Sequence, residues 1–175
     1  RGAQLERMIR EEVETSLRNL QLDSLPLLQL HGGSKEQIVR GELIDIVRRL
    51  MEEGKVQHPG ISIRSEEAAL VAINSDFFET VQLAYSILDQ RMGKDVFPTA
   101  IDKRVGIINR SVLLKGALTS TVWQLPPELD LLKENSAQGA AVAKYLGIDL
   151  PTLAVRFVLA NQAVSVALIG TYKPQ

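Results

Sequence analysis

Length, composition and charge set the first limits on this chain. It has 175 residues, 45% of them hydrophobic, so it can bury the core of an ordinary globular domain. Twenty basic and 21 acidic residues give a formal net charge of -1, which excludes the broad positive field of proteins that bind nucleic acid or anionic membranes. The sequence has no cysteine and no apolar run of the roughly 18 to 20 residues that cross a bilayer. We therefore expect a cytoplasmic protein.

The first part of the chain predicts a helix, a strand and a second helix. Apolar residues at helical spacing predict a surface helix up to about Asn19. Residues 25–31 follow as a strand that carries Pro26 near its start, where a missing N–H does least harm. Ser34 is well placed to cap the next helix, which we expect to run over residues 35–53.

The rest of the chain continues this alternation. A second strand over residues 55–63 contains Pro59, which is expected to interrupt its pairing. The further predicted elements are a helix over 65–73, a strand over 80–85, a helix over 95–103, a strand over 105–110, helices over 128–146 and 151–162, and a last strand over 164–170. Strands that alternate with amphipathic helices indicate a parallel sheet covered by helices. Their polar carboxyl ends would gather along one rim, where such folds do their chemistry.

Several short motifs follow one another in order along the chain. They are Ser16–Leu20 leading to Asp23, Leu28–His31, Gly54–Val56, Gly60–Ser62, Val81–Leu88, Arg110–Gly116 and Ile169–Thr171. This series resembles the aldo-keto reductase family, which are NAD(P)-dependent oxidoreductases with a (β/α)8 TIM-barrel fold. The resemblance implies an α/β fold of that type, from the third helix to the eighth strand, as a single partial domain over residues 1–175. About five parallel strands would be present, because a complete barrel takes about 250 residues.

The same resemblance implies a nicotinamide cofactor across the rim, with NADP(H) expected in preference to NAD(H). Ser62 and Gln82 would hydrogen-bond its carboxamide. Arg110 would stand where many members stack an aromatic ring on the nicotinamide, and a guanidinium can also stack. The residues near the phosphates would be Ser111, Leu113 and Gly116 for the pyrophosphate, and Gly170 and Thr171 for the adenosine phosphate.

One catalytic residue is implied in the same way. His31 would match the catalytic histidine of the family, and at a strand end it could donate a hydrogen bond to a developing alkoxide. The aspartate, tyrosine and lysine of the family belong to the first three strands, which this sequence does not show. Tyr85, Tyr145 and Tyr172 are not at the tyrosine position of the motif. No cluster with ligand spacing predicts a metal site.

Three interpretations of function remain open at this point. The first is an aldo-keto reductase-like oxidoreductase that acts on aldehydes or ketones, or on sugar-type alcohols. The second is a catalytically inactive nucleotide-binding or interaction module, which would bind cofactor without turnover. The third is a truncated remnant of a reductase. Under all three we expect self-association, because the outer strands over residues 25–31 and 164–170 would have open edges.

Overall fold

The sheet contains five parallel strands, each hydrogen-bonded to the next in chain order. The computed structural model describes residues 2–170. The strands are β1 (Leu25–His31), β2 (Val56–Ser62), β3 (Thr80–Ala84), β4 (Gly106–Arg110) and β5 (Val164–Ala167). This arrangement confirms the predicted α/β fold with five parallel strands. β1 and β5 form the two edges of the sheet.

Helices follow the strands as expected for βαβ units. They are α1 (Gly2–Leu20), α2 (Lys35–Val39), α3 (Glu42–Glu52), α4 (Glu66–Asn74), α5 (Val96–Lys103), α6 (Asp130–Tyr145) and α7 (Leu150–Leu159). Short 3₁₀ turns cover Arg91–Gly93, Leu114–Gly116, Val122–Gln124 and Pro127–Leu129. None of the helices in residues 2–170 has the length and apolar character that crossing a bilayer requires.

One face of the sheet carries most of the core. Ile61, Val81, Leu83 and Ile107 are fully buried and pack in one apolar cluster with side chains from α4, α5 and α7. Since side chains alternate along a strand, the residues between them point to the other face of the sheet. Those residues are mainly polar or glycine. A second apolar cluster joins α1 and α3 to the beginnings of β1 and β2.

Two helices replace the single helix predicted over residues 35–53. The predicted cap is confirmed, because the Ser34 hydroxyl accepts a hydrogen bond from the Gln37 amide and caps α2. The prediction of one continuous helix is wrong, because Gly41 adopts a left-handed φ of 77° between α2 and α3. The Gly41 amide donates to the Ile38 carbonyl, and its own carbonyl accepts from Asp45 in the first turn of α3.

Pro59 does not interrupt its strand, contrary to the prediction. β1 and β2 stay in register through the pair Leu28 and Pro59. The Pro59 carbonyl accepts from the Glu79 amide, so this residue presents its backbone polar groups toward β3. The pairing of β2 with β3 begins only at Gly60 and Thr80. The missing N–H of Pro59 therefore lies just before the first residue pair of that ladder, where it removes no ladder hydrogen bond.

Other element ends differ from the prediction by a few residues. The last strand ends at Ala167 and does not extend to Gly170. The helix predicted from residue 128 begins as the 3₁₀ turn Pro127–Leu129 and becomes α-helical at Asp130. Pro127 at the start of that turn fits, since its fixed φ and missing N–H suit the first turn of a helix.

Gly41→Ala tests the break between α2 and α3. A side chain at a left-handed φ costs about 1 to 2 kcal/mol, so we expect the free energy of unfolding to fall by that amount. Urea denaturation measures it. Gly2→Ala is the control, because an added Cβ there meets open space at an ordinary φ. Equal stability of Gly41→Ala and the native protein would contradict the requirement for glycine.

Candidate functional site

Parallel pairing brings three predicted site residues into one row. His31 is opposite Ser62, and Ser62 is opposite Gln82. The row continues through Ile108 to Val166. Because partners in a parallel ladder point to the same face of the sheet, His31, Ser62 and Gln82 lie side by side at its carboxyl-end rim, away from the main core. We call these three residues the rim row.

Ser62 and Gln82 contact each other within this row. The Ser62 hydroxyl donates to Oε1 of Gln82 at 3.1 Å, and Ser62 is only 9% exposed. Directly beyond β2, the Ile63 amide donates to the Gln82 carbonyl at 2.8 Å. The Ser62 bond orients the side-chain amide of Gln82, whose Nε2 carries two N–H donors, and the Ile63 bond holds the Gln82 backbone. Such donors can bind the oxygen of a carboxamide or carbonyl ligand.

Arg110 spans the rim beside this row. It ends β4 opposite the small residue Ala84, and its Nη2 donates to the Ile63 carbonyl at 3.3 Å. Its Nη1 donates to the Ser111 hydroxyl at 3.4 Å. The guanidinium is thus fixed across the end of β3. A planar cation in this position can stack on an aromatic ligand or pair with an anionic one.

The loop after β4 has an unusual backbone. Ser111, Leu114 and Lys115 have left-handed φ values of 61°, 45° and 53°, and Gly116 has a φ of 96°. Non-glycine residues in this region cost about 1 to 3 kcal/mol each and are concentrated at ligand-binding sites. A Cβ on Gly116 would lie 2.8 Å from Oγ1 of Thr121, so the loop has no room for a side chain there.

The other predicted site residues lie in different surroundings. His31 is exposed at the end of the edge strand β1. Leu113 is half-buried and packs against the core, while its carbonyl accepts from the Gly116 and Leu118 amides. Gly170 is exposed beyond β5, at the opposite edge of the sheet from His31. Thr171 lies outside the described residues.

A cleft of about 570 Å³ opens between the loops that follow β3 and β4. Its lining includes Ser111 and Lys115 on one side and Asp89 and Arg91 on the other. Arg91 donates from Nε and Nη2 to the two Asp89 carboxylate oxygens, both at 2.8 Å. These hydrogen bonds hold the pKa of Asp89 below its usual value. This pair was not predicted from the sequence, because only the fold of the loop brings it to the rim.

Metal binding has no support in residues 2–170. This part of the chain contains no group of three or more His, Cys, Asp or Glu residues placed to hold a metal ion. His58 instead pairs through Nδ1 with Oε2 of Glu79 at 2.8 Å, and both side chains are more than half exposed.

The fold and the rim define a class of protein, namely a parallel α/β protein of the β/α-barrel type, of which residues 2–170 contain five strands with polar residues at their carboxyl ends. The model of the Aldo/keto reductase family matches residues 4–175. The chain therefore belongs to the aldo/keto reductase family, which confirms the resemblance carried by the motifs.

Individual relatives agree with this membership. The chain is 32% identical over 174 residues to an L-galactose dehydrogenase from Arabidopsis thaliana, covering 93% of this chain and 53% of the relative. It is 25% identical to a D-threo-aldose 1-dehydrogenase from Pseudomonas sp, and the match covers 97% of this chain and 54% of that relative. The solved structure of an aldo-keto reductase from Bacillus halodurans, in its holo form, superposes on this chain with a TM-score of 0.77 at 27% identity. The match covers 96% of this chain and 58% of that structure. The chain spans about half the length of the curated relatives it matches.

Asp89→Asn tests the pair that lines the cleft. Because Arg91 lowers the pKa of Asp89 below its ordinary value of 3.8, the carboxylate stabilises the folded state above that pH. This contribution is lost as the pH falls through the lower folded-state pKa. We expect the variant to unfold more easily by about 0.5 kcal/mol near pH 6. The difference from the native protein should shrink below pH 3.8.

Urea unfolding at a series of pH values measures this difference. Asp102→Asn is the matched control, because Asp102 is exposed on α5. It should track the native protein throughout. A constant deficit of Asp89→Asn at every pH would show that the ion pair is not its source.

Proposed function

We propose that this chain forms the cofactor-binding rim of an NAD(P)(H)-dependent aldo-keto reductase that acts on aldehydes or ketones, or on sugar-type alcohols. The observation that carries the proposal is the rim row, in which Ser62 and Gln82 hydrogen-bond and His31 stands beside them. Membership of the family and relatives named as sugar dehydrogenases support the reaction class.

The residues at the rim fit a nicotinamide nucleotide. When bound, that cofactor supplies or accepts the hydride. Nε2 of Gln82 would donate to the carboxamide oxygen, and the Arg110 guanidinium would stack on the ring. The loop after β4, which carries Ser111, Leu113 and Gly116 and has several left-handed φ values, would lie against the pyrophosphate.

His31 would hold the substrate oxygen. It stands at the exposed end of the row, where its imidazole can donate a hydrogen bond to a carbonyl and to the alkoxide that develops from it. In residues 2–170, neither tyrosine belongs to the rim row. Tyr85 is buried against Phe97 and Phe157 on the core side, and Tyr145 is exposed on α6. This favours a second candidate function, which is cofactor binding without turnover by this chain alone.

We also propose NADP(H) in preference to NAD(H), and a cytoplasmic location. The first follows from the family resemblance, although one relative is named an NADH-specific methylglyoxal reductase from Escherichia coli. The second rests on the absence of cysteine from the sequence, which suits a reducing compartment. Titration with NADPH and with NADH should give tighter binding of NADPH, and the reverse order would contradict this preference.

Gln82→Leu tests the cofactor site. Loss of the carboxamide hydrogen bond should weaken NADPH binding about tenfold, measured by quenching of NADPH fluorescence. Gln138→Leu makes the same chemical change on the exposed surface of α6 and should leave affinity unchanged. Failure of the native protein to bind either NADPH or NADH would reject the proposed function.

Aldehyde-dependent oxidation of NADPH by the native chain, together with the effect of His31→Ala on it, separates the two candidate functions. We expect His31→Ala to leave NADPH affinity nearly unchanged in either case. If the native chain oxidises NADPH in the presence of an aldehyde, the variant should lose most of that rate, typically 10²- to 10⁴-fold. Binding without any turnover by the native chain would instead support the cofactor-binding module.

We further propose that copies of the chain associate through the two edges of the sheet. Among residues 2–170, β1 and β5 each pair on one side only. The edges carry exposed apolar side chains, including Leu27, Val166 and Leu168. Open apolar edges pair readily with other chains.

Val166→Lys tests this association. A charge on the edge strand should shift the sedimentation profile toward the monomer by weakening the contact. Val142→Lys is the control, since Val142 is similarly exposed but lies on α6. A native protein that remains monomeric at high concentration would contradict the proposal.

A further inference from the structure

A second row of side chains lies one layer below the rim row. Gln29 is opposite Gly60, Gly60 is opposite Thr80, and Thr80 is opposite Gly106. Nε2 of Gln29 donates to Oγ1 of Thr80 at 2.6 Å. This hydrogen bond joins the first strand directly to the third and passes over the second.

Gly60 makes that crossing possible. A Cβ on Gly60 would overlap Nε2 of Gln29 and Oγ1 of Thr80, and it would lie 2.8 Å from Cδ of Gln29. The φ of Gly60 is outside the left-handed region, so its backbone conformation does not require glycine. The space above Gly60 is therefore what the crossing side chains need. Gly106 differs, because a Cβ there would make contacts no closer than 3.4 Å.

The Gln29 side chain is held at a cost. Its Oε1 is buried and has no hydrogen-bond partner among the described residues. An unpaired buried carbonyl oxygen is unfavourable, and an apolar side chain of similar size would avoid it. The structural role of Gln29 is thus the hydrogen bond that its Nε2 donates to Oγ1 of Thr80.

The second row has a fixed relation to the rim row. His31, Ser62 and Gln82 each stand two residues beyond Gln29, Gly60 and Thr80 on the same strands. The pairing between β2 and β3 is short, with only three residue pairs. A bond that links β1 to β3 next to this short ladder restrains the strands that carry the rim row.

We propose that Gln29, Gly60 and Thr80 form a brace that positions His31, Ser62 and Gln82. The brace acts through the strands and touches no ligand, so its residues are positioning residues. Its consequence for cofactor binding rests on the proposed function. Removal of the hydrogen bond between Gln29 and Thr80 should let Gln82 and Ser62 move relative to each other, and this would weaken their binding of a carboxamide.

Variants at Thr80 isolate the brace. Thr80→Val removes the hydroxyl and keeps the shape, whereas Thr80→Ser keeps the hydroxyl and should preserve native behaviour. Gln29→Leu removes the donor of the same hydrogen bond, and it replaces Thr80→Val in the test if Thr80→Val does not fold. Thr99→Val is the matched control, because Thr99 bonds only to the Asp95 carbonyl of its own helix region.

Hydrogen exchange provides a readout that needs no ligand. The Ile63 amide reports on the junction of β2 and β3 at the rim row, and the Lys55 amide, bonded to the Leu50 carbonyl, is a distant reference. We expect Thr80→Val to speed exchange at Ile63 about tenfold and to leave Lys55 unchanged. Equal acceleration at both amides would indicate general destabilisation and contradict the brace, as would no change at Ile63.

Ligand binding provides the second readout. NADPH contains the nicotinamide, and 2′-phospho-ADP-ribose lacks it. We expect Thr80→Val to weaken NADPH binding about tenfold while 2′-phospho-ADP-ribose binds as to the native protein. Equal loss for both ligands, or loss for neither, would overturn the positioning role. If the native protein binds neither ligand, the proposed function fails, while exchange at Ile63 still decides whether the brace exists.

Discussion

The in-register parallel pairing of neighbouring strands is the constraint on which the rest of this structure depends. Each strand alternates between a core face and an open face, so a slip by one residue would exchange them. Such a slip in β2 would turn Ser62 toward the helices and move Ile61 to the open face. The rim row exists because the side chains of four strands alternate between the two faces in step. This register runs from the His31–Ser62 pair to the Gln82–Ile108 pair.

Burial of apolar side chains on the core face maintains this register. Ile61, Val81 and Ile107 have no solvent exposure, and complete burial of such a side chain contributes about 1.5 to 3 kcal/mol. The polar contacts of the rim contribute less, since a hydrogen bond such as Ser62 to Gln82 adds about 1 kcal/mol net. The apolar core therefore determines where the polar residues stand, and the brace refines their spacing.

The sequence predicted what depends on local pattern and missed what depends on contacts across the chain. Strand positions, the Ser34 cap and the gathering of polar strand ends follow from periodicity and turn residues. The break at Gly41 was missed, because a lone glycine within an apolar helical pattern is usually tolerated. The effect of Pro59 depends on which neighbour its missing N–H faces, and that is known only from the register. Gln29 and Thr80 are 51 residues apart, beyond any local pattern.

The two faces of the sheet also have separate roles, which bears on whether the proposed cofactor binding requires turnover. The stabilising apolar clusters lie on the helix side of the sheet, and His31 is exposed at an edge strand. A change at His31 removes no core contact, and the Ser62–Gln82 bond does not depend on it. The rim can therefore keep the Ser62–Gln82 geometry, on which the proposed cofactor binding depends, whether or not the groups for proton transfer are present. The residues that stabilise the fold are then different from the residue proposed to hold the substrate oxygen.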